Sequence, residues 1–76
     1  MIKRTKEVEK HLSNLEGMRL YYEEMRDKLQ EKYDNASEKW KDSDKGQECE
    51  ENISDLEDVI NGLESAEGDI DRISEE

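Results

Sequence analysis

Two stripes of apolar residues at helical spacing, separated by one interruption at residues 33–46, constrain this chain more than any other feature. Within each stripe the steps are three or four residues, which fits the 3.6-residue period of an α-helix and not the period of two of a strand. The sequence therefore predicts two long helices and no strands. The stripes are Val8, Leu12, Leu15, Met18, Tyr22, Met25, Leu29 and Tyr33, then Cys49, Ile53, Leu56, Ile60, Leu63, Ala66, Ile70 and Ile73.

The interruption reads YDNASEKWKDSDKG and contains residues that end and begin helices. Asn35 tolerates the left-handed conformation that often follows a helix, so it is expected to end the first one. Ser37 and Ser43 are favourable N-cap residues. A first helix that runs on to Lys41 is the less favoured alternative. We predict one domain over 1–76, with helix 1 at about 3–34, a corner with a short helical turn at 35–43, and helix 2 at about 44–73.

Helices of these lengths span about 45 Å each and can fold back against each other. An antiparallel pairing places Leu29 near Cys49, and Trp40 over the end of the pair. It also brings the basic start of the chain to the acidic end of helix 2. The residues expected to meet there are Lys3, Arg4 and Lys6 on one side and Asp69, Asp71 and Glu75 on the other.

A hairpin of 76 residues has a small core, and a core of this size rarely supplies more than a few kcal/mol. Gly17, Gly62 and Gly68 fall inside the helical pattern, where each costs about 1 kcal/mol. The predicted fold is therefore an all-α, coiled-coil-like antiparallel hairpin that assembles into a four-helix bundle as a homodimer. Leu20 and Tyr21 lie beside the first stripe and are candidates for the contact between copies.

Charge excludes several kinds of partner. The net charge is −11, and residues 42–76 hold 2 basic and 14 acidic side chains, a net of −12. General attraction to nucleic acid or to an anionic membrane is excluded, because both are negative. No apolar run reaches membrane-spanning length, so we expect a soluble, intracellular protein. A candidate acidic face on helix 2 comprises Glu50, Asp55, Glu57, Asp58, Glu64 and Asp69.

No pattern in the sequence predicts catalysis, a cofactor site or a metal site. His11 is the only histidine, and the residue three before it is Val8, where a di-iron bundle places glutamate. Cys49 lies on an apolar stripe, which favours a packing role. An EF-hand loop counted from Asp42 has its glycine one place early and Ile53 in place of the final glutamate. The chain is therefore predicted not to be an enzyme.

A cluster of methionine, arginine and aromatic residues is the best candidate for a protein-binding surface, because these types are enriched at interfaces. Arg19 and Arg26 also fit another interpretation, in which they form ion pairs over the edge of the core. The candidate residues are Met18, Arg19, Leu20, Tyr21, Tyr22, Met25, Arg26 and Trp40.

The corner and the segment ISDLEDVINGLESAEGDI resemble a group of small acidic helical proteins encoded by bacteriophages and prophages. These proteins carry a D-N-x-[SP]-E-x-[LW]-x-x-S-x-[KR]-G corner followed by acidic repeats. The resemblance covers about residues 30–70 and implies a phage origin, without implying a reaction. It also implies that the protein is found in the cytoplasm of a bacterial host cell. The matching residues are Asp34, Asn35, Ser37, Glu38, Trp40, Ser43, Lys45 and Gly46.

The function expected from these features is a phage-encoded protein-binding module that modulates or inhibits a host protein, such as a component of a defence system. The expected partners are a second copy of the chain and a host or phage protein. Two alternatives stay open. One is an acidic mimic of nucleic acid that occludes a basic groove, and the other is a structural or assembly protein of a phage.

Overall fold

Two long helices packed antiparallel dominate the protein, which is all-α apart from one short strand pair. The computed structural model describes residues 1–75, while Glu76 and the side chain of Glu75 lie outside the described part. The molecule is a rod of 54 × 15 × 13 Å. In chain order the elements are β1 (Ile2–Lys3), α1 (Lys6–Asp34), α2 (Glu38–Lys41), α3 (Asp44–Ile73) and β2 (Ser74–Glu75).

The first helix begins at Lys6, three residues later than predicted, because Thr5 caps it. The Thr5 hydroxyl accepts a hydrogen bond from the Val8 backbone N–H at 3.2 Å, and Thr5 itself is extended. The residues before it form β1, which pairs in parallel with β2 in the register Ile2 to Ser74 and Lys3 to Glu75. The prediction of no strands was therefore wrong at the chain ends, where two residues on each side satisfy their backbone groups by pairing.

The corner is built by helix caps, among them Asn35, Ser37 and Ser43. Asn35 ends α1 in the right-handed conformation, with φ −89° and ψ −4°, and none of the described residues has a positive φ. The expected left-handed ending was wrong, because the chain leaves α1 through Ser37 instead. Ser37 is extended and caps α2, and Ser43 is extended and caps α3 with its hydroxyl accepting from the Gly46 N–H at 3.3 Å.

The seam between α1 and α3 is thin. Cys49, Ile53 and Ile60 are the buried apolar residues, and even Ile60 keeps 3% of its surface exposed. Met18, predicted in the seam, is 47% exposed, and Ile73 at the end of the second stripe is 37% exposed. Arg19 takes the half-buried place predicted for Met18.

The observed seam of α1 follows alternate steps of four and three residues, a strict heptad pattern that includes two arginines. This pattern explains the exclusion of Met18, which lies one residue before a heptad position. The half-buried residues in this series are Val8, Leu12, Leu15, Arg19, Tyr22, Arg26, Leu29 and Tyr33.

Two long-range contacts confirm the predicted antiparallel register. The Cys49 thiol lies 3.7 Å from the Leu29 carbonyl oxygen at the corner end. At the other end the Arg4 guanidinium pairs with the Asp71 carboxylate. The predicted position of the Glu75 side chain lies outside the described residues.

Candidate interaction surfaces

The seam divides the rod into two long flanks of different chemistry. A groove on one side is lined by Leu29 and Lys32 of α1 and by Asn52 of α3. A groove on the other side is lined by Tyr33 of α1 and by Glu50 of α3, among others. Residues seven apart lie on the same side of a helix. Counting in sevens from the residues that line each groove therefore shows which other residues of α1 and α3 lie on the same flank.

One of the two flanks is mainly apolar along the middle of the rod. It is the flank on the side of the groove lined by Lys32 and Asn52. Heptad steps from these two residues reach Met25 and Met18 on α1, and Val59 and Ala66 on α3. Tyr21 continues the surface, since it lines one groove with Met25 and another with Met18. We define the apolar flank as Met18, Tyr21, Tyr22, Met25, Val59, Leu63 and Ala66.

Three members of the apolar flank are substantially exposed. Tyr21 is 59% exposed, Met18 47% and Val59 44%, while Tyr22 and Met25 are half-buried. Tyr21 and Tyr22 meet edge to face, with 5.2 Å between ring centres. Such a pair is a rigid amphipathic contact, and methionine adapts to irregular surfaces. The flank therefore has the chemistry of a protein interface.

The opposite side of the rod, which contains the groove lined by Tyr33 and Glu50, is the polar flank. Its ion pairs are centred on Arg19. The Arg19 guanidinium donates to Glu67 of α3 at 2.7 Å and to Glu23 of its own helix at 3.1 Å. These hydrogen bonds, first the one to Glu67, raise the pKa of Arg19. Arg26 pairs with its neighbour Asp27 at 3.0 Å. This geometry fits the interpretation of both arginines as ion-pairing residues at the edge of the core.

An aromatic cluster covers the corner end of the seam. The rings of Tyr33 and Trp40 meet edge to face at 6.5 Å. Each ring also carries a lysine ammonium, Lys32 at 5.6 Å from the centre of Trp40 and Lys41 at 5.3 Å from that of Tyr33. The Tyr33 hydroxyl donates to the Glu50 carboxylate, and this bond, followed by burial, raises the pKa of Tyr33 to about 12. Trp40 therefore packs within the fold and is only half-exposed.

The predicted protein-binding residues divide among three places. Met18, Tyr21, Tyr22 and Met25 share the apolar flank, whereas Arg19 and Arg26 lie in the seam and Trp40 lies at the corner. Leu20 is 51% exposed but is turned about 100° around α1 from Tyr21. Leu20 is therefore separated from the flank that it was expected to widen.

The six predicted acidic residues are all exposed but do not form one face. Glu50, Glu57 and Glu64 follow heptad spacing and share the polar flank, and the first two line one groove. Asp55 is two residues from Glu57, so it points about 200° around the helix from it. Asp58 and Asp69 point away from the seam by the same geometry. The six residues therefore spread over much of the outer surface of α3, because the set does not keep a helical period.

Val59 is an interface candidate that sequence reasoning missed. It was not considered, yet it is exposed on the apolar flank, while Leu63, which was assigned to the seam, is half-buried at the edge of that flank. The signal was present in the sequence, since Asn52, Val59 and Ala66 form a heptad series beside the main stripe of helix 2. Recognising it required knowledge of which sides of the two helices meet.

Groups with possible chemistry are dispersed over the rod. Among residues 1–75 there is no cluster of three or more side chains that could hold a metal ion. His11 lies 3.2 Å from Glu7 on the exposed surface of α1. Cys49 is a free, buried thiol in the seam. No described helix combines the length and the apolar character needed to cross a membrane.

Comparison with known proteins gives no relative from which a role can be transferred. No protein-family model, curated protein or solved structure matches the chain.

Proposed function

We propose that this chain is a non-enzymatic protein-binding module that works as a homodimeric four-helix bundle and modulates a host protein by covering part of its surface. The observation that carries the proposal is the apolar flank. Exposed methionine and tyrosine of α1 and exposed valine of α3 lie on the same side of the rod, and exposed apolar patches on small proteins mark interaction sites.

The distribution of charge supports binding through this flank. The opposite flank holds Arg19, Glu23 and Glu67 in a linked set of ion pairs, and it offers water a polar surface. Met18, Tyr21 and Val59 are exposed on the apolar flank, whereas Leu20 is exposed outside it. Packing this flank against a second copy removes the three exposed apolar side chains from water.

The phage origin and the host target rest on the corner resemblance. Three of the matched corner residues have a clear role in the fold, since Ser37 and Ser43 cap helices and Gly46 allows a close backbone approach. The corner therefore accounts for the shape of the hairpin. The surface that selects a target lies elsewhere on the rod.

Self-association is tested with two variants that differ by one position. Tyr21→Glu places a charge on the apolar flank, and Leu20→Glu places the same charge on an equally exposed residue outside it. We expect a dimeric mass for the wild type and for Leu20→Glu, and a monomeric mass for Tyr21→Glu. Equal dimerisation of all three at micromolar concentration contradicts a contact through this flank.

An acidic mimic of nucleic acid is the second candidate, favoured by the heptad series Glu50, Glu57 and Glu64. No basic residue lies between Lys45 and Arg72, so this side of α3 has a single sign of charge. Binding through it weakens steeply with salt, whereas apolar contacts are not screened. Replacement of all three glutamates by glutamine removes the face without changing its shape.

The two candidates are separated by titration of a captured host protein at low and high salt. The modulator predicts binding that survives replacement of the three glutamates and is not competed by DNA. The mimic predicts binding that is lost in high salt, lost in the glutamine variant, and competed by DNA. A phage structural role predicts that capture from host lysate yields only the chain itself, while phage subunits bind it.

A further inference from the structure

We propose that the apolar flank is covered by a second copy of the chain with both corners at the same end of the bundle, so that α1 of each copy packs on α3 of the other. This inference rests on the proposed homodimer and adds its face and orientation. It follows from the exposed area, the apolar content of the flank and the charge of the two helices.

The accessible surface of the hairpin exceeds that of a globular monomer by about the area that one partner buries in a dimer. The accessible surface is 5772 Å² for a mass of 9.0 kDa. A globular monomer of this mass exposes about 4,900 Å². The excess of about 900 Å² is close to the ~800 Å² that each partner buries in a standard interface. One copy on one flank therefore brings the rod to the exposure of an ordinary globular protein.

Two-fold symmetry allows two ways to pack one flank on its copy. When the axis runs along the rod, the corners share an end and α1 lies on α3 of the second copy. When the axis runs across the rod, the corners are at opposite ends and each helix lies on its own counterpart. Helices pack antiparallel in both cases, so packing direction does not choose between them.

The net charges of the two helices favour the arrangement with both corners at the same end. α1 has 6 basic and 8 acidic side chains, net −2, whereas α3 has 2 basic and 11 acidic, net −9. The opposite-end arrangement places two α3 helices in direct contact, and like charges across an interface are unfavourable. The same-end arrangement places each α3 against the nearly neutral α1 and keeps the two α3 helices diagonal.

The rim of the apolar flank offers a specific pair for the same-end arrangement. Lys32 of α1 and Glu48 of α3 line one groove, so they lie at about the same level of the rod, one on each helix. Rotation about the axis that runs along the rod places α1 of one copy over α3 of the other and keeps each residue at its height along the rod. Lys32 of each copy then faces Glu48 of the other, and both side chains are exposed in the single hairpin.

A mixing experiment tests this pairing between chains. Lys32→Glu and Glu48→Lys each create two like-charge pairs in their homodimer. Their heterodimer restores both opposite-charge pairs, although every chain keeps its own repulsion within the groove. With one variant isotope-labelled, native mass spectrometry is expected to give an exchange constant about tenfold above the statistical value.

The possible results separate the orientation from the dimer itself. A statistical mixture of dimers overturns the same-end arrangement and leaves self-association standing. Single-chain masses for the wild type at micromolar concentration overturn both. As a second measurement, spin labels on Lys39→Cys in a Cys49→Ala background are expected about 20 Å apart, roughly two helix diameters. A distance near the 54 Å length of the rod overturns the arrangement.

Discussion

Gly46 in the first turn of α3 approaches the backbone of Lys41 at the end of α2 so closely that no side chain fits between them. A Cβ built on Gly46 lies 2.5 Å from the Lys41 carbonyl oxygen and closer still to that of Trp40. Real Cβ atoms do not approach backbone that closely, so the corner has to open if any larger residue is present. This glycine is required by contact, since its φ is not positive.

Gly46→Ala is therefore predicted to destabilise the protein by about 2 kcal/mol, as expected for overpacking against rigid backbone. The measurement is urea unfolding followed by circular dichroism at a fixed protein concentration. Gly62→Ala is the matched control, because a Cβ there meets nothing within 4 Å. It is predicted to stabilise α3 by about 1 kcal/mol through helix propensity. Equal effects of the two substitutions contradict the close approach at Gly46.

Ser43 is predicted to be the more sensitive of the two serine caps at the corner. Its hydroxyl accepts from the Gly46 N–H and also donates to the Trp40 carbonyl oxygen, so it joins α2 to α3. Ser43→Ala is expected to lower the unfolding free energy by about 1 kcal/mol or more. Ser65→Ala, on the exposed middle of α3, is the control and is expected to be neutral or slightly stabilising. A neutral Ser43→Ala contradicts the capping role.

Much of the fold was readable from the sequence because it depends on local signals. Apolar spacing fixed the two helices, and Ser37 and Ser43 placed the corner within a residue of its observed position. The start of α1 was missed because Thr5 was not considered as a cap. Asn35 was misjudged because its conformational tolerance permits a left-handed ending without requiring one.

The candidate surface was harder to read, since it depends on how two helices face each other. Met18 and Arg19 are adjacent, and apolarity alone favours Met18 for the seam. The long Arg19 side chain instead reaches Glu67 from a half-buried position, which leaves Met18 on the apolar flank. Val59 was missed for the same reason. Its exposure is decided by the side of α3 that meets α1, and a single stripe does not give that side.

The ion pair between Arg19 and Glu67 is predicted to contribute to stability, unlike most surface pairs. The two side chains are 22% and 18% exposed, and Arg19 also holds Glu23. A double-mutant cycle with Arg19→Met and Glu67→Gln is expected to give a favourable coupling energy that is clearly larger than that of an exposed pair. Arg26 and Asp27 are the control pair, because Asp27 is 69% exposed. Their coupling is expected to be near zero. Equal coupling in the two cycles contradicts the special role of Arg19.

The Tyr33–Glu50 contact is predicted to make stability fall at high pH. The Tyr33 hydroxyl donates to a carboxylate, and this raises the folded pKa from the ordinary 10.0 to about 12. A raised pKa means that the folded state holds the proton more tightly than the unfolded chain. The stabilisation is therefore complete below pH 10 and is lost as the pH rises towards 12.

Tyr33→Phe removes the hydroxyl group that titrates, so the unfolding free energy of this variant is expected to fall less than that of the wild type over this range. The measurement is urea unfolding at several pH values, with Tyr21→Phe as the control for loss of a phenol from another part of the hairpin. If Tyr33→Phe and the wild type lose stability in parallel between pH 10 and 12, the bond to Glu50 does not hold the proton in solution.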